Sequence, residues 1–537
     1  MQTENFEKIG LMLDCSRNAV PTVETLKLLI DLLAKMGYNR LELYTEDTYE
    51  IKNRPYFGYL RGRYSGEELK QIDAYAASKG VELTPCIQVL AHLNGIFRYG
   101  PFENVHDCND IILVDEEETY KLIEDMFASI AENFTCREIN IGCDESHMLG
   151  LGKFLDRFGY QNKFEIFSRH LDRVLEIANK YGFKCSIWDC MYFRFVTGGA
   201  YDNSKPIPQE MLDRIPKNLS LIYYNYSPNT RDLFEAHKQF ENQVEFAGAA
   251  WRWLGFAPDN SYSIKSAKAA IADAREFGVK KIMLTAWGDD GCEASVFSLL
   301  PTLYYFGQAA NGKSVAPSDL EKGFRKLTGL GFQEFMCVDI NRFEWMEKIE
   351  GFHGKSSNAE KVFLYNDCFC GIFDGFLTGG ECAHYAQAVE RLKAAEKGKF
   401  AYVFKTLRAL CEILTLKADL GARTRKAYKE CDKGALLKLT DDYTEIVKRV
   451  KIFYNLLRKQ WFRENKPFGF EVQDIRFGGL MQRIKACRQQ LIDYCAGKVQ
   501  SISELEEDLL PLQEIFLDPF GHFLFGGHAR IVSVNTM

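Results

Sequence analysis

The sequence has no C-x-x-C pair, although it holds 16 cysteines. The one close pair is Cys368-Phe369-Cys370, and most others sit inside apolar segments such as Thr84-Pro85-Cys86-Ile87. That scatter excludes a disulfide framework and a cysteine zinc site, and it predicts buried free thiols in a reducing cytoplasm. No run approaches the roughly 20 apolar residues that a membrane span needs, so no membrane association is expected. The opening MQTENFEKIG lacks the basic-then-apolar pattern of a secretory signal, which again predicts a cytoplasmic location. Acids and bases are interspersed at a net charge of −7, without a basic stripe, which argues against a nucleic-acid partner. No glycine-rich dinucleotide fingerprint follows the first apolar run, where Asp14-Cys15-Ser16-Arg17 stands instead. There is no internal repeat and no low-complexity tract.

At 537 residues the chain is too long for one ordinary core. From Lys8 to about Gly312, apolar β-like runs alternate with amphipathic helical ones. Strands are predicted at Ile9–Leu13, Arg40–Tyr44, Val81–Val89, the run ending before Asp144, Lys184–Trp188, Leu219–Tyr224, Val244–Trp251 and Lys280–Trp287. Helices are predicted at Thr22–Met36, Ser65–Ser78, Asp115–Asn133, Phe164–Tyr181 and Ala294–Ala310, with others fitting between. Eight strand–helix units in this length predict an α/β fold, a (β/α)8 TIM barrel over residues 1–315. Beyond it, Cys382–Lys397, Ala401–Leu420, Asp441–Phe462 and Gly478–Cys495 show helical periodicity. A mainly α-helical C-terminal domain is therefore expected over 316–537, with a short hairpin at Asp518–Val534.

In such a barrel the residues just after each strand gather at one mouth. They form a non-random set. Asp14 and Arg17 end strand one and Glu46 and Asp47 end strand two, while strand three leads to His92. Asp144 and Glu145 end strand four. Trp188-Asp189, Tyr223 to Tyr226, Trp251-Arg252-Trp253 and Trp287-Gly288-Asp289-Asp290 end the rest. Four of the six tryptophans thus fall at the mouth. Indole walls with carboxylates and an arginine suit a sugar ring, whose C–H faces stack on aromatics. Adjacent carboxylates repel, and one kept protonated beside one kept ionised is what glycoside chemistry uses. Taken singly each residue has a blander explanation: a solvated Asp-Glu, a plugging tryptophan, an Arg17 paired with Glu46 or Asp47, a structural His92.

Together these segments resemble glycoside hydrolase family 20, the β-N-acetylhexosaminidases. Asn140-Ile-Gly-Cys-Asp-Glu145 is similar to the family's His-or-Asn-x-Gly-x-Asp-Glu signature. Leu11-Met-Leu-Asp-Cys-Ser-Arg17 resembles its first-strand motif, and Glu82-Leu-Thr-Pro-Cys-Ile-Gln-Val-Leu-Ala-His92 its third-strand segment. The resemblance implies removal of a terminal β-linked GlcNAc or GalNAc from a small oligosaccharide or glycoside, with retention and without a cofactor or metal. The substrate's own 2-acetamido oxygen would be the nucleophile, forming an oxazoline-type intermediate. Asp144 would orient that acetamide, and Glu145 would act as general acid and then base. Arg17, Glu46, His92 and Asp289 would bind sugar hydroxyls. Trp188, Trp251, Trp253 and Trp287 would wall the acetamide pocket, and Tyr226 would reach the acetamide oxygen. Trp251-Arg-Trp-Leu-Gly-Phe-Ala-Pro258 replaces the family's Tyr-x-Asp feature, which leaves the choice of tyrosine open. The Phe468–Arg476 loop is expected to cap or abut a mouth, with a homodimer as an open expectation. Two alternatives stand beside this reading. One is a non-catalytic sugar-binding protein. The other is a metal-dependent barrel isomerase using His92, Asp144, Glu145 and His147.

Overall fold

The computed structural model describes residues 6–343 and 358–510. The hairpin expected at Asp518–Val534 lies outside the described residues.

Eight parallel strands close into a barrel. They are β1 Lys8–Asp14, β2 Arg40–Tyr44, β3 Glu82–Cys86, β4 Glu138–Asn140, β5 Lys184–Trp188, β6 Ser220–Tyr224, β7 Val244–Ala249 and β8 Lys281–Ala286. Each pairs with its sequence neighbours, and β1 closes onto β8. The helices between them start and stop by local chemistry. Thr22 caps the helix Val23–Met36 through Thr25 N, and Gly37, at φ 97°, ends it in the left-handed region. Ser65 and Glu68 form a reciprocal capping box on Gly66–Ser78. β3 is shorter than Val81–Val89 because the chain leaves the sheet after Cys86, with Ile87 N still bonded to Asn140 O at 2.9 Å.

Alternation along the strands fills the barrel in layers. The lower layer is charged. Arg40 meets Glu42 at 3.1 Å and Glu245 at 3.0 Å, and Lys281 meets Glu138 at 2.8 Å and Glu245 at 3.3 Å. Gly10 leaves room for this plug, since a Cβ there would lie 3.5 Å from Arg40 Cβ and 3.2 Å from Met283 Cβ. Met12, Ile222, Ala247 and Met283 lie in the same interior cluster as the aromatic layer of Tyr44, Trp188, Trp251 and Trp287. Asn140 connects the charged plug to the mouth, because its Nδ2 donates to Glu42 at 3.1 Å while its Oδ1 accepts from Gly142 N at 3.0 Å.

The C-terminal part is helical, with Glu381–Ala395, Ala401–Lys417, Lys433–Glu464 and Glu471–Cys495 as its main helices. Two of them begin earlier than periodicity suggests, at Lys433 rather than Asp441 and at Glu471 rather than Gly478. Gly478-Gly479 reads as a break by propensity. Buried Gln473, Arg476, Phe477 and Leu480 on both sides of it hold the helix continuous. This part is joined to the barrel by buried polar ties. Lys361, with no exposed side chain, meets Glu293 at 2.8 Å and Asp290 at 3.1 Å, and Arg476 meets Glu293 at 2.7 Å. Glu464 accepts from Ser295 Oγ at 2.6 Å and from Tyr402 Oη at 2.7 Å. All 16 cysteines are free and most are buried. Among the described residues no helix is long and apolar enough to cross a membrane.

Candidate active site

The turn after β4 is set by its backbone. Gly142 has φ 72°, and a Cβ there would lie 2.0 Å from Gln88 Oε1. Cys143 at φ 68° and Glu145 at φ 52° are non-glycine residues in the left-handed region. Such conformations persist only where the surroundings enforce them, and they concentrate at functional sites. The consequence is that adjacent carboxylates point to different environments. Asp144 is buried, whereas the Glu145 side chain is 45% exposed.

Asp144 is gripped from two sides. Gln88 Nε2 donates to Oδ1 at 2.8 Å, and His92 Nε2 faces Oδ2 at 3.2 Å. Burial works to raise its pKa, but the charge of His92 and the Gln88 hydrogen bond outweigh it and hold the carboxyl below the usual carboxylate range. For His92 burial favours the neutral ring. Asp144 reverses the balance and pushes the pKa up to about 9. The His92 backbone, itself at φ 57°, is fixed by N–H donation to Asp110 at 3.0 Å. The Glu145 carboxyl stands between two cations, Arg194 Nη2 at 3.6 Å and His92 Nε2 at 3.8 Å.

A second group faces the same mouth. Arg17 meets Asp14 at 3.0 Å, Glu46 at 3.4 Å and Asp289 at 3.7 Å. Its guanidinium also lies over the rings of Tyr44 and Trp287, at 4.8 and 5.1 Å from their centroids. Asp47 takes no part in this group and pairs with Arg61 at 3.2 Å. Asp14 ties the arrangement together, accepting from Ser16 N, Ser16 Oγ and Gly288 N at 2.8–2.9 Å. Glu46 accepts from Tyr44 Oη at 3.1 Å, and Tyr44 Oη accepts from Gln88 Nε2 at 3.0 Å. The arginine group and the Asp144 group are therefore joined through Tyr44 and Gln88.

Aromatic side chains line the third side. Trp287 stands edge-on to Tyr44 at 4.8 Å and 6.0 Å from Trp188, which is edge-on to Tyr224 at 5.7 Å. Trp251 and Trp253 stack on one another at 3.9 Å, and Tyr226 meets Trp253 at 5.3 Å. The Tyr226 hydroxyl accepts from Trp287 Nε1 at 2.7 Å, which fixes its orientation and leaves its own proton to donate. Trp188 Nε1 is buried without a hydrogen-bond partner among the described residues. Two polar residues named with these tryptophans lie outside the cup. Asp189 is fully buried behind it, bonded to Tyr201 Oη at 2.6 Å and to His237 Nε2. Arg252 donates to Ala294 O at 2.9 Å.

The structure thus brings all eleven candidate residues to one mouth: Asp144, Glu145, Arg17, Glu46, His92, Trp188, Tyr226, Trp251, Trp253, Trp287 and Asp289. Sequence reasoning placed Asp14 at the mouth without a role, and it missed Gln88 and Arg194. Gln88 stands inside the segment that ends at His92, where its position one alternation beyond the strand was the available signal. Arg194 lies on a helix and carried none. The Phe468–Arg476 segment abuts the mouth within the same chain. It is helical from Glu471, with Phe468 against Gly62 and Arg476 on the Asp290-Glu293 loop after β8. Among the described residues no group of three or more His, Cys, Asp or Glu side chains is arranged to hold a metal ion. His147 points to Arg194, with Nε2 3.4 Å from its Nη1.

The chain is 23% identical over 257 residues to Hexosaminidase D of Bos taurus, a match covering 45% of this chain and 69% of that protein. It is 27% identical over 177 residues to a β-hexosaminidase of Vibrio furnissii, covering 26% of this chain but only 29% of that one. Among solved structures, the chitobiase of Flavobacterium johnsoniae superposes with a TM-score of 0.47 at 14% identity, over 85% of this chain and 78% of that one. Residues 6–203 match the glycosyl hydrolase family 20 catalytic domain, and residues 333–518 match the glycoside hydrolase 20C C-terminal domain. The chain belongs to glycoside hydrolase family 20.

Proposed function

We propose that this chain is an exo-acting β-N-acetylhexosaminidase that releases terminal β-linked GlcNAc or GalNAc by substrate-assisted, retaining hydrolysis. One observation carries the reading. A carboxylate held ionised, Asp144, sits beside a more exposed one, Glu145, at an aromatic cup with an arginine clamp on its other side. A sugar ring seated in the cup places its outer hydroxyls against Arg17, Glu46 and Asp289. Its 2-acetamido group lies among Trp188, Trp251, Trp253 and Trp287. Tyr226 donates its hydroxyl proton to the acetamide oxygen, and Asp144 accepts from the acetamide N–H. That pair of contacts turns the oxygen toward C1, a near-attack geometry worth several orders of magnitude in effective concentration. As the oxygen–C1 bond forms, positive charge grows on the acetamide and meets the fixed charge of Asp144. Glu145 transfers its proton to the leaving oxygen, then takes a proton from the water that opens the oxazolinium ring. Two displacements at C1 give net retention. His92 keeps Asp144 ionised and contributes no proton.

The barrel would span 1–315 and the helical domain 316–537, the latter bracing the β8 loop that carries Asp289. Free buried thiols support a reducing, cytoplasmic setting. We propose a small oligosaccharide or glycoside as the substrate. The test is hydrolysis of nitrophenyl β-GlcNAc against nitrophenyl β-glucose. Cleavage of the acetamido sugar alone is expected. Equal cleavage of both would overturn the acetamide's role, and sugar binding without cleavage would make the chain a binding protein.

A further inference from the structure

Arg194 stands on the helix Cys190–Thr197 that follows β5, with a side chain only 16% exposed. Its Nη1 donates to Gly199 O at 2.9 Å and approaches His147 Nε2 at 3.4 Å. Its guanidinium also faces the Tyr224 hydroxyl, and its Nε is buried without a hydrogen-bond partner among the described residues. Among the described residues Glu145 is the one carboxylate within ion-pair distance of it, at 3.6 Å. An arginine with a buried unpaired N–H and a single partial ion pair is poorly satisfied as a structural element. Its charge is left largely uncompensated beside one catalytic carboxyl.

We propose that Arg194 is a positioning residue for proton donation, stabilising the anion that Glu145 becomes as it gives up its proton. This rests on the assignment of Glu145 as general acid. In that step the Glu145 O–H bond breaks and its electron pair stays on the carboxylate. The proton bonds to the glycosidic oxygen, whose bond to C1 breaks with its pair passing to the leaving oxygen, while the acetamide oxygen bonds to C1. A neutral carboxylic acid gains little from a guanidinium at this distance, whereas a carboxylate gains a full charge–charge attraction. The interaction therefore grows along the reaction coordinate, which is the condition for catalysis. Other charged or titratable groups face Glu145: His92, His147, Asp289, Tyr224 and Tyr226. Among the described residues His92 is the only other cation within ion-pair reach, and it is committed to Asp144 at 3.2 Å.

The stabilisation must scale with how far the proton has moved. It therefore matters for a sugar leaving group and hardly at all for dinitrophenolate, which departs without protonation. The experiment measures kcat/KM for chitobiose and for dinitrophenyl β-GlcNAc with Arg194→Gln and Arg194→Lys. This parameter stops at the first irreversible step, so later base catalysis by Glu145 does not enter. Arg194→Gln keeps most of the volume and hydrogen-bonding capacity without the charge. A roughly tenfold loss on chitobiose is expected from one part-exposed ion pair at this distance, with less than twofold loss on the dinitrophenyl sugar and substantial recovery in Arg194→Lys. Equal losses on both substrates, or full chitobiose activity in Arg194→Gln, would overturn the proposal. Failure of the underlying assignment looks different: Glu145→Gln would then keep wild-type activity on chitobiose.

Discussion

Replacing Gln88 by leucine preserves most of its bulk and removes both of its polar ends. The amide nitrogen donates to Asp144 Oδ1 at 2.8 Å and to Tyr44 Oη at 3.0 Å, and the amide oxygen accepts from Cys143 N at 3.3 Å. The contact to Asp144 is a hydrogen bond to a charged acceptor, worth about 1.5–3 kcal/mol where an ordinary one is worth about 1. Without it the carboxylate keeps His92 and its own backbone N–H and loses the contact that fixes Oδ1 toward the acetamide. If that energy is expressed in the transition state, kcat/KM falls roughly 10- to 100-fold. The loss should appear in kcat more than in KM, because the arginine group that binds the outer hydroxyls keeps Asp14, Glu46 and Asp289. The assay is steady-state hydrolysis of nitrophenyl β-GlcNAc, with circular dichroism melting to confirm a folded barrel. A folded Gln88→Leu enzyme with wild-type kcat/KM would refute the claim that Gln88 positions Asp144.

Glu145→Gln should lose at least a hundredfold in kcat/KM on chitobiose and much less on dinitrophenyl β-GlcNAc, while Asp144→Asn should impair both alike; the two-substrate comparison checks each. Glu360, fully buried, accepts from Phe256 N at 2.7 Å and Ala257 N at 3.2 Å in the loop after β7, and burial pushes its pKa up to about 7. Because the folded pKa lies above the unfolded one, its protonated form stabilises the fold at low pH. About 3 kcal/mol should be lost as pH rises from 4.5 to 7, a slope that urea titrations should find flattened in Glu360→Gln. His170 runs the other way. Its ring is buried against Val89 O at 2.9 Å and burial lowers its pKa to about 4, so stability falls as pH drops from 6.5 to 4, and His170→Gln should remove that acid-side loss in the same titrations. Lys361→Met removes the lysine charge from Glu293 and Asp290 and should cost about 3–5 kcal/mol in urea melts, since a buried pair is broken from one side.

The barrel was legible because its strands are short apolar runs at regular spacing, each followed by a helix with its own cap signals, as at Thr22 and Ser65. The mouth was legible for the same reason. Once strand ends are known, Trp188, Trp251 and Trp287 fall into one place by topology alone. What stayed hidden depends on contacts between distant segments. Nothing in the spacing says that Gln88 reaches Asp144 beyond the end of the neighbouring strand, or that Asp14 accepts from Gly288 on the far side of the closure. Arg194 lies on a helix, where a strand-end inventory does not look. Arg40, Glu42, Glu245 and Lys281 read as interruptions of apolar strands until the closed barrel shows them neutralising each other. The early start of the helix at Glu471 is likewise decided by burial of Gln473 and Phe477, against the local preference of Gly478-Gly479.

The central claim is that the substrate's own acetamide is the nucleophile, steered by Asp144. The most direct measurement is kcat/KM for a series of aryl β-glucosaminides whose acetyl group carries none, one, two or three fluorines. Fluorine withdraws electrons from the acetamide oxygen while leaving the leaving group untouched. A steep fall in kcat/KM with each added fluorine is the predicted result. Rates independent of fluorination would show that the oxygen does not attack C1, and the account of Asp144 and Glu145 given above would be wrong.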